Sequence, residues 1–176
     1  MKSAWRLTLA LMIAMALVAC KSAPKAEPTT DQTPDSTTTT TVDTAGAVNP
    51  VDYTDARNFD NPESLLSKRF IYFDFDKSTV RPEYRNIVSA HADYLAAHSS
   101  ARVTLESHAD ERGTREYNLG LGERRGNAVF GLMSAQGARA DQLTVVSYGE
   151  ERPMCRISEE SCWSQNRRVE IVYTAK

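Results

Sequence analysis

The sequence has few of the residues that build common catalytic and metal centres. It contains three histidines and three cysteines, and no His-x-x-x-His or His-Glu-x-x-His spacing accompanies them. A Gly-x-Ser-x-Gly elbow and a phosphate-binding glycine loop are also missing. The formal net charge is −2, and without a strongly basic stripe a general nucleic-acid-binding role is disfavoured. We therefore predict no catalytic residue, no metal, no cofactor and no enzymatic activity.

Long apolar runs are scarce, and the main one lies at the N-terminus. Residues 7–19 follow the basic residues Lys2 and Arg6 and are too few for a bilayer span, which needs about 20 residues. They fit a signal peptide, which we place at residues 1–19. Small residues precede Cys20, as in a lipoprotein cleavage site, so we predict that Cys20 is lipidated and becomes the mature N-terminus. The alternative is an ordinary signal peptide followed by a chance cysteine.

The next segment, residues 20–64, is predicted to be a disordered linker that follows the lipidated cysteine. It contains the threonine run 37–41 and several prolines, with almost no large apolar residue before residue 51. Such a composition buries too little apolar surface to offset the entropy lost on ordering. The linker would hold a folded domain, residues 65–176, away from an anchored lipid.

Hydrophobic periodicity predicts the architecture of that domain. The apolar run 69–75 is expected to be a strand covered on both faces, and Pro82 suits the first turn of a helix. The predicted elements are strand 69–75, helix 84–95, strand 102–106, helix 118–132, strand 142–148 and strand 169–173. The order βαβαββ indicates an α/β (α+β sandwich) fold, a mixed sheet with helices mainly on one face.

A charged turn between the second strand and the second helix is the strongest candidate site. Asp110 lies in this turn, Gly113 can adopt positive φ there, and Arg125 lies some three turns along the helix. An acidic and a basic group in one cleft suit a zwitterionic ligand. The alternatives are a solvated loop or a structural Asp110–Arg125 ion pair. His108, beside Asp110 and Glu111, lacks the spacing of a metal or acid–base site.

A histidine, a pair of glycines and a pair of cysteines also carry structural predictions. His91 lies on an apolar helix face and is predicted to be a packed core histidine. Gly122 and Gly126 each cost the second helix up to about 1 kcal/mol relative to alanine, so we expect close packing on the sheet. Cys155 and Cys162 are predicted to form a disulfide, because the signal sequence implies export to an oxidising compartment; two free thiols are the alternative.

The turn and several other motifs resemble those of the OmpA-like peptidoglycan-binding domain family. The matching segments are 72–77, Asp110-Glu-Arg-Gly-Thr, Asn118-x-x-Leu121-x-x-Arg124-Arg125, Val146-Ser-Tyr-Gly and Asn166-Arg-Arg. The chain departs from the family pattern in three places: Ser107 replaces a usual glycine, Arg115 a proline and Gly126 an alanine.

The resemblance implies non-covalent binding of the diaminopimelate-containing stem peptide of peptidoglycan. Asp110 would bind the ligand's ammonium group and Arg125 its carboxylate. Four further residues match positions that line the same cleft: Phe75, Asp76, Asn118 and Leu121. Lipoprotein members of the family imply an anchor in the outer membrane at its periplasmic face, and Lys21 after the lipidated cysteine fits the sorting pattern for that membrane.

The same resemblance implies a place in the Tol envelope-constriction and cell-division system, with the β-propeller protein TolB as a partner. Two other readings stay open. One is a periplasmic peptidoglycan-processing enzyme; the other is a motor-type or porin-linked anchor of another envelope complex. The short apolar run that ends at Cys20 argues against the second.

Overall fold

The computed structural model describes residues 52–176. The elements in chain order are β1 Phe70–Tyr72, α1 Arg85–Ala97, β2 Arg102–His108, α2 Arg115–Ala135, β3 Leu143–Gly149, α3 Glu160–Asn166 and β4 Arg168–Ala175. The signal peptide 1–19, the lipidation site Cys20 and the linker up to residue 51 lie outside the described residues, so these stay predictions.

The four strands form one mixed sheet in the order β1-β4-β2-β3. β2 and β3 run parallel, whereas β4 is antiparallel to both β1 and β2. The predicted α/β architecture with a mixed sheet is confirmed. The sequence analysis missed α3, a short helix of seven residues between β3 and β4.

One face of the sheet carries the core beneath α1 and α2. Val103 and Leu105 of β2 pack there with Val88 of α1 and Val129 of α2. Because side chains alternate along a strand, the residues between them lie on the opposite face. Thr104 and Glu106 are accordingly half-buried. We call this second face the open face of the sheet.

The prediction for β1 was wrong in length and in burial. The strand has three residues, and only its central residue, Ile71, is fully buried. Phe70 and Tyr72 lie half-buried on the open face, where their rings stack 6.2 Å apart. The apolar run therefore has side chains on both faces of an edge strand, but only one of those faces is fully buried.

The N-terminal part of the described chain also packs on the core. Residues Ala56–Phe59 form a 3-10 turn, and Phe59 is buried against the rings of Tyr94 and Tyr173, each at 4.7 Å between centroids. Ordered packing therefore begins before residue 65.

His91 is a packed core histidine, as predicted. Its ring nitrogens lie 3.0 Å from the Tyr173 hydroxyl and 3.0 Å from the Lys68 carbonyl. Burial lowers the pKa of His91 to about 4, so the ring is neutral at pH 7.

Among residues 52–176, no helix combines the length and the apolar character needed to cross a membrane.

Candidate functional site

A pocket of about 230 Å³ lies where the end of β2, the start of α2 and the loop after β1 meet. Nine residues line it. Six are the predicted site residues, Phe75, Asp76, Asp110, Asn118, Leu121 and Arg125, and the other three are Arg112, Gly113 and Tyr117. The structure therefore brings the predicted set into one cavity. Their part in ligand binding stays a prediction.

The turn into α2 positions the residues at the mouth of the pocket. Gly113 adopts φ +123°, a conformation that residues with a Cβ rarely adopt. Thr114 caps the helix, because its side chain accepts a hydrogen bond from the Tyr117 N–H at 3.2 Å. From this start the helical period carries Asn118, Leu121 and Arg125 along one buried line of α2.

Asp110 is 4% exposed and is held by two arginines. Its carboxylate accepts two hydrogen bonds from the Arg112 guanidinium, at 3.2 and 2.7 Å, and one from Arg167 Nη1 at 3.1 Å. Burial alone would raise the pKa of Asp110, but the bonds from Arg112 and Arg167 outweigh it and the net pKa is lowered. The group is therefore a carboxylate at neutral pH.

Arg125 is 0% exposed and bonds only to backbone. Its guanidinium donates to three carbonyl groups: Lys77 O at 2.8 Å, His108 O at 2.8 Å and Asp74 O at 3.1 Å. Burial lowers the pKa of Arg125 to about 10, so the side chain stays charged at neutral pH. Three of the five N–H groups of a guanidinium are used in this way.

The structural ion-pair alternative for Asp110 and Arg125 is wrong in its direct form. Among the described residues, the carboxylate of Asp110 forms salt bridges to Arg112 and Arg167, and Arg125 forms none. The opposite charge of Asp110 still raises the pKa of Arg125 against the larger effect of burial. The two groups therefore contribute separately to the electrostatics of one pocket.

Arg112 lies across the mouth of the pocket between two aromatic rings. Its guanidinium carbon is 4.0 Å from the centroid of Phe75 and 4.2 Å from that of Trp163, distances typical of cation–π contacts. Phe75 is 53% exposed, so the stack forms an accessible rim. In this arrangement the Arg112 guanidinium is bonded to the Asp110 carboxylate, which an ammonium ligand would need as its partner.

Asp76 and Tyr117 form another part of the rim. Asp76 is the one described residue other than glycine with positive φ, 55°, and its carboxylate accepts a short hydrogen bond from the Tyr117 hydroxyl. That bond raises the pKa of Tyr117. Deeper in the pocket, Asn118 donates to the Glu150 carboxylate. The backbone strain at Asp76 is the kind often found at functional sites.

A disulfide joins Cys155 and Cys162, in the loop that precedes and begins α3. This loop contacts the turn that holds Asp110. Glu111 accepts hydrogen bonds from Ser158 Oγ at 2.6 Å and from Trp163 Nε1 at 3.0 Å.

Gly122 and Gly126 let α2 approach the sheet closely, as predicted. A Cβ at Gly122 would meet Ser147 Oγ at 2.3 Å, and one at Gly126 would meet Ser107 Oγ and Val145 Cγ1 at 2.5 Å. These distances are far below a normal contact, so the glycines fix the depth at which Arg125 enters the protein.

The sequence analysis missed three residues that shape the site: Arg112, Tyr117 and Arg167. Arg112 and Arg167 lie in segments that match the family motifs, so the sequence already indicated positive charge near Asp110. Their bonds to Asp110 depend on α3 and the disulfide loop, and α3 was not predicted.

Comparisons with known proteins identify a family. A family model described as the OmpA family matches residues 72–167. The peptidoglycan-associated lipoprotein of Pasteurella multocida is 46% identical over 110 residues, covering 61% of this chain and 73% of that protein. The Pseudomonas putida protein of the same name is 50% identical over 100 residues, which cover 57% of this chain and 60% of that protein.

Solved structures show the same fold. The crystal structure of the peptidoglycan-associated lipoprotein from Burkholderia pseudomallei matches with a TM-score of 0.65 at 40% identity, covering 66% of this chain and 99% of that chain. The C-terminal domain of Helicobacter pylori MotB matches with a TM-score of 0.56 at 16% identity, covering 61% of this chain and 84% of that chain, which is a likeness of fold alone.

A mixed sheet whose second strand opens through a charged turn into a helix, matched over residues 72–167, places this chain in a defined class: it belongs to the OmpA family. Within that family, the relatives described above are peptidoglycan-associated lipoproteins. Their names are those of lipoproteins rather than of enzymes, in agreement with the catalytic motifs missing from the sequence.

Proposed function

We propose that this protein is an outer-membrane lipoprotein that binds peptidoglycan non-covalently through the pocket at the start of α2. The observation that carries the proposal is that Asp110 and Arg125 line one cavity with Phe75, Asn118 and Leu121. A stem peptide that contains diaminopimelate offers an ammonium and a carboxylate on one carbon. An anionic and a cationic anchor in one cleft match that pair of charges.

The two anchors act differently on such a ligand. Arg125 is fixed by three backbone carbonyls and keeps two N–H groups for the ligand's carboxylate. Asp110 is covered by Arg112, whose side chain is 31% exposed, so the ligand's ammonium takes the place of the Arg112 guanidinium. Arg112 is held on one side by the exposed ring of Phe75, and it can swing outward without disturbing the core.

Asp76, Tyr117 and Asn118 orient the rest of the ligand. Asp76 and Tyr117 bond to each other across the rim, and both offer polar atoms to the peptide backbone of a bound stem. Leu121 supplies an apolar wall. A mostly preformed cleft with a few convergent polar groups is the usual form of a small-ligand site.

Sedimentation with purified sacculi tests the proposal. We expect Asp110→Asn to lose sedimentation, because it removes the negative charge while keeping the shape of the side chain. The matched control is Asp141→Asn, since Asp141 is also paired with an arginine, Arg139, but lies outside the pocket lining.

The fold of each variant is checked by circular dichroism and thermal unfolding. Sedimentation of a folded Asp110→Asn protein at the wild-type level would overturn the assignment of the site. Loss of sedimentation by Asp141→Asn would show that the assay reports overall charge instead of the pocket.

Membrane attachment through Cys20 is the second part of the proposal, and its residues lie outside those described. Acyl chains on Cys20 would anchor the chain, and two or more chains make attachment durable where one does not. Confinement of the domain and the cell wall to one thin layer then raises the effective concentration, so moderate affinity suffices. Cys20→Ser should release the protein from membranes, and retention of that variant in the membrane fraction would contradict the anchor.

We further propose that the protein works in the Tol envelope-constriction system during cell division, with TolB as an exchange partner. The support is the likeness to peptidoglycan-associated lipoproteins. Pull-down of purified TolB by the wild-type chain tests it, and no retention of TolB at micromolar concentrations would contradict it.

A further inference from the structure

Three ligand-type side chains meet on the open face of the sheet, away from the helices. The pairing of β2 with β4 places Glu106 directly opposite Glu170. His108 lies two residues further along β2 and therefore on the same face. One ring nitrogen of His108 and one carboxylate oxygen from each glutamate all lie within 4.8 Å of one another.

His108 is unusual among these residues because it is buried without a polar partner. It is 2% exposed, and neither ring nitrogen makes a hydrogen bond to any described residue. Leaving such atoms unpaired in the interior destabilises the fold. A buried imidazole whose nitrogens have no partner can offer a lone pair to a metal ion.

We propose that Glu106, His108 and Glu170 form a binding site for a divalent transition-metal ion, with Zn²⁺ as the probe. One imidazole nitrogen and two carboxylate oxygens are ligands that zinc accepts, and a water molecule would complete a four-coordinate site. The nitrogen ligand favours zinc and its neighbours over calcium and magnesium, which prefer oxygen alone.

The geometry requires only a small closure around the ion. Zinc–ligand distances of about 2.0–2.2 Å place neighbouring ligand atoms about 3.4 Å apart, against a separation within 4.8 Å here. Both glutamates are half-buried and can turn their terminal torsions to close this gap.

A cation already competes for the two carboxylates. Arg168, on β4, lies on the same face and is 5% exposed, and its Nε and Nη1 make no hydrogen bond to a described residue. The positive charge of Arg168 attracts the carboxylates of Glu170 and Glu106. Arg168 therefore stabilises the glutamates electrostatically without bonding to them, and it weakens the attraction of the same groups for a metal ion.

The site is separate from the pocket, although one residue touches both. The backbone carbonyl of His108 accepts a bond from Arg125, whereas its ring lies 5.4 Å from that of Tyr148 on the open face. Linear spacing could not reveal the site, because the third ligand comes from a distant strand. The sequence analysis weighed His108 only with its neighbours Asp110 and Glu111, which are not the residues grouped with it here.

The experiment is a zinc titration of the full-length chain, extracted from membranes without a histidine tag and stripped with a chelator. We expect one Zn²⁺ per chain by calorimetry, and a Co²⁺-substituted sample with visible absorption bands of a four-coordinate ion. Glu170→Gln should lower the affinity at least about 100-fold, because losing a ligand exceeds the 10–100-fold effect of an outer partner. Arg168→Met should raise the affinity about tenfold or more, because it removes the competing charge.

These opposite changes separate a metal site from a merely structural cluster. His98→Gln is the matched control, since His98 is a half-buried histidine outside the cluster, and it should bind zinc like the wild type. If His108→Ala fails to fold, Glu106→Gln supplies the second ligand test with an isosteric change. Absence of stoichiometric zinc binding by the wild type overturns the proposal, as does unchanged affinity in folded Glu170→Gln.

Discussion

The two sides of the pocket are held in place by different means. The helix side, formed by Asn118, Leu121 and Arg125, is buried and follows one line of α2. The loop side, formed by Asp76, Asp110 and Arg112, lies in turns. Its contacts are mostly between side chains, with one bond from the Arg112 backbone N–H to Asp110. The backbone and the core fix the helix side, whereas the loop side is fixed by groups that can exchange partners. If the pocket binds the proposed ligand, Arg125 is its rigid cationic anchor and Asp110 its adaptable anionic one.

The largest difference in the free energy of unfolding should appear between variants of Arg125 and of Asp110. Arg125→Ala leaves the carbonyls of Asp74, Lys77 and His108 without their donor, so we expect it to lower the free energy of unfolding by about 3–5 kcal/mol. Asp110→Asn keeps a side chain of the same shape and should cost only about 1–2 kcal/mol. Urea denaturation measures both values. Equal losses in the two variants would remove the distinction between the sides.

Reduction of the Cys155–Cys162 disulfide tests the loop side. A closed loop of about eight residues gives about 2–3 kcal/mol under the chain-entropy model, mainly by restricting the unfolded chain. We expect the Cys155→Ser, Cys162→Ser double variant to lose that amount in the free energy of unfolding, while the helix side keeps its structure.

Amide hydrogen exchange of α2 and of the turn at residues 110–114 separates the two sides in that variant. Faster exchange should be confined to the turn and the loop that packs on Glu111. Equal loss of protection in α2 would show that the disulfide supports both sides.

A smaller effect is expected at the contact between α2 and the sheet. Gly126→Ala brings a methyl group within 2.5 Å of Ser107 Oγ and Val145 Cγ1, and overpacking of this kind costs about 1–3 kcal/mol. Gly131→Ala is the matched control, because nothing lies within 4 Å of its Cβ position, and it should be neutral or stabilise by up to about 1 kcal/mol. Thermal unfolding measures both.

Two departures from the family pattern meet at this contact. By the family resemblance, glycine is expected at the position of Ser107 and alanine at that of Gly126, so the extra atoms would lie on the strand here instead of on the helix. We expect Ser107→Gly to recover part of the loss caused by Gly126→Ala, in a double-mutant cycle with a coupling of about 0.5–2 kcal/mol. Strict additivity would show that Val145 alone sets the limit.

The site was predictable where a local pattern carries the information. The helical line of Asn118, Leu121 and Arg125 follows from spacing alone, and the positive φ of Gly113 follows from its place in a turn. The lack of a direct ion pair between Asp110 and Arg125 was not predictable. The partners of Arg125 are backbone carbonyl groups, which every residue possesses and no sequence pattern marks.

The errors of the fold prediction have a similar origin. The apolar run 69–75 indicated a long buried strand, but only Phe70–Tyr72 pair with β4. Phe73 then leaves the sheet to pack in the core, and Phe75 turns outward to meet Arg112. The burial of a strand depends on which strands lie beside it. β1 lies at the edge of the sheet, and the order of the strands cannot be read from the apolar run. The short helix α3 lacks the length over which a helical period can be recognised.

The contact between Arg112 and Asp110 has a kinetic consequence for any cationic ligand of the pocket. Association replaces one cation by another, so the Coulombic gain of the new pair is largely cancelled by loss of the old one. Ionic strength therefore has less influence on the equilibrium than it would for an unpaired carboxylate. When a ligand leaves, Asp110 keeps its bond from Arg167 Nη1 and regains those from Arg112, so no bare buried charge is left behind. If the pocket binds as proposed, this exchange lowers the barrier to release and lets the protein bind again at another unit of a repeating polymer.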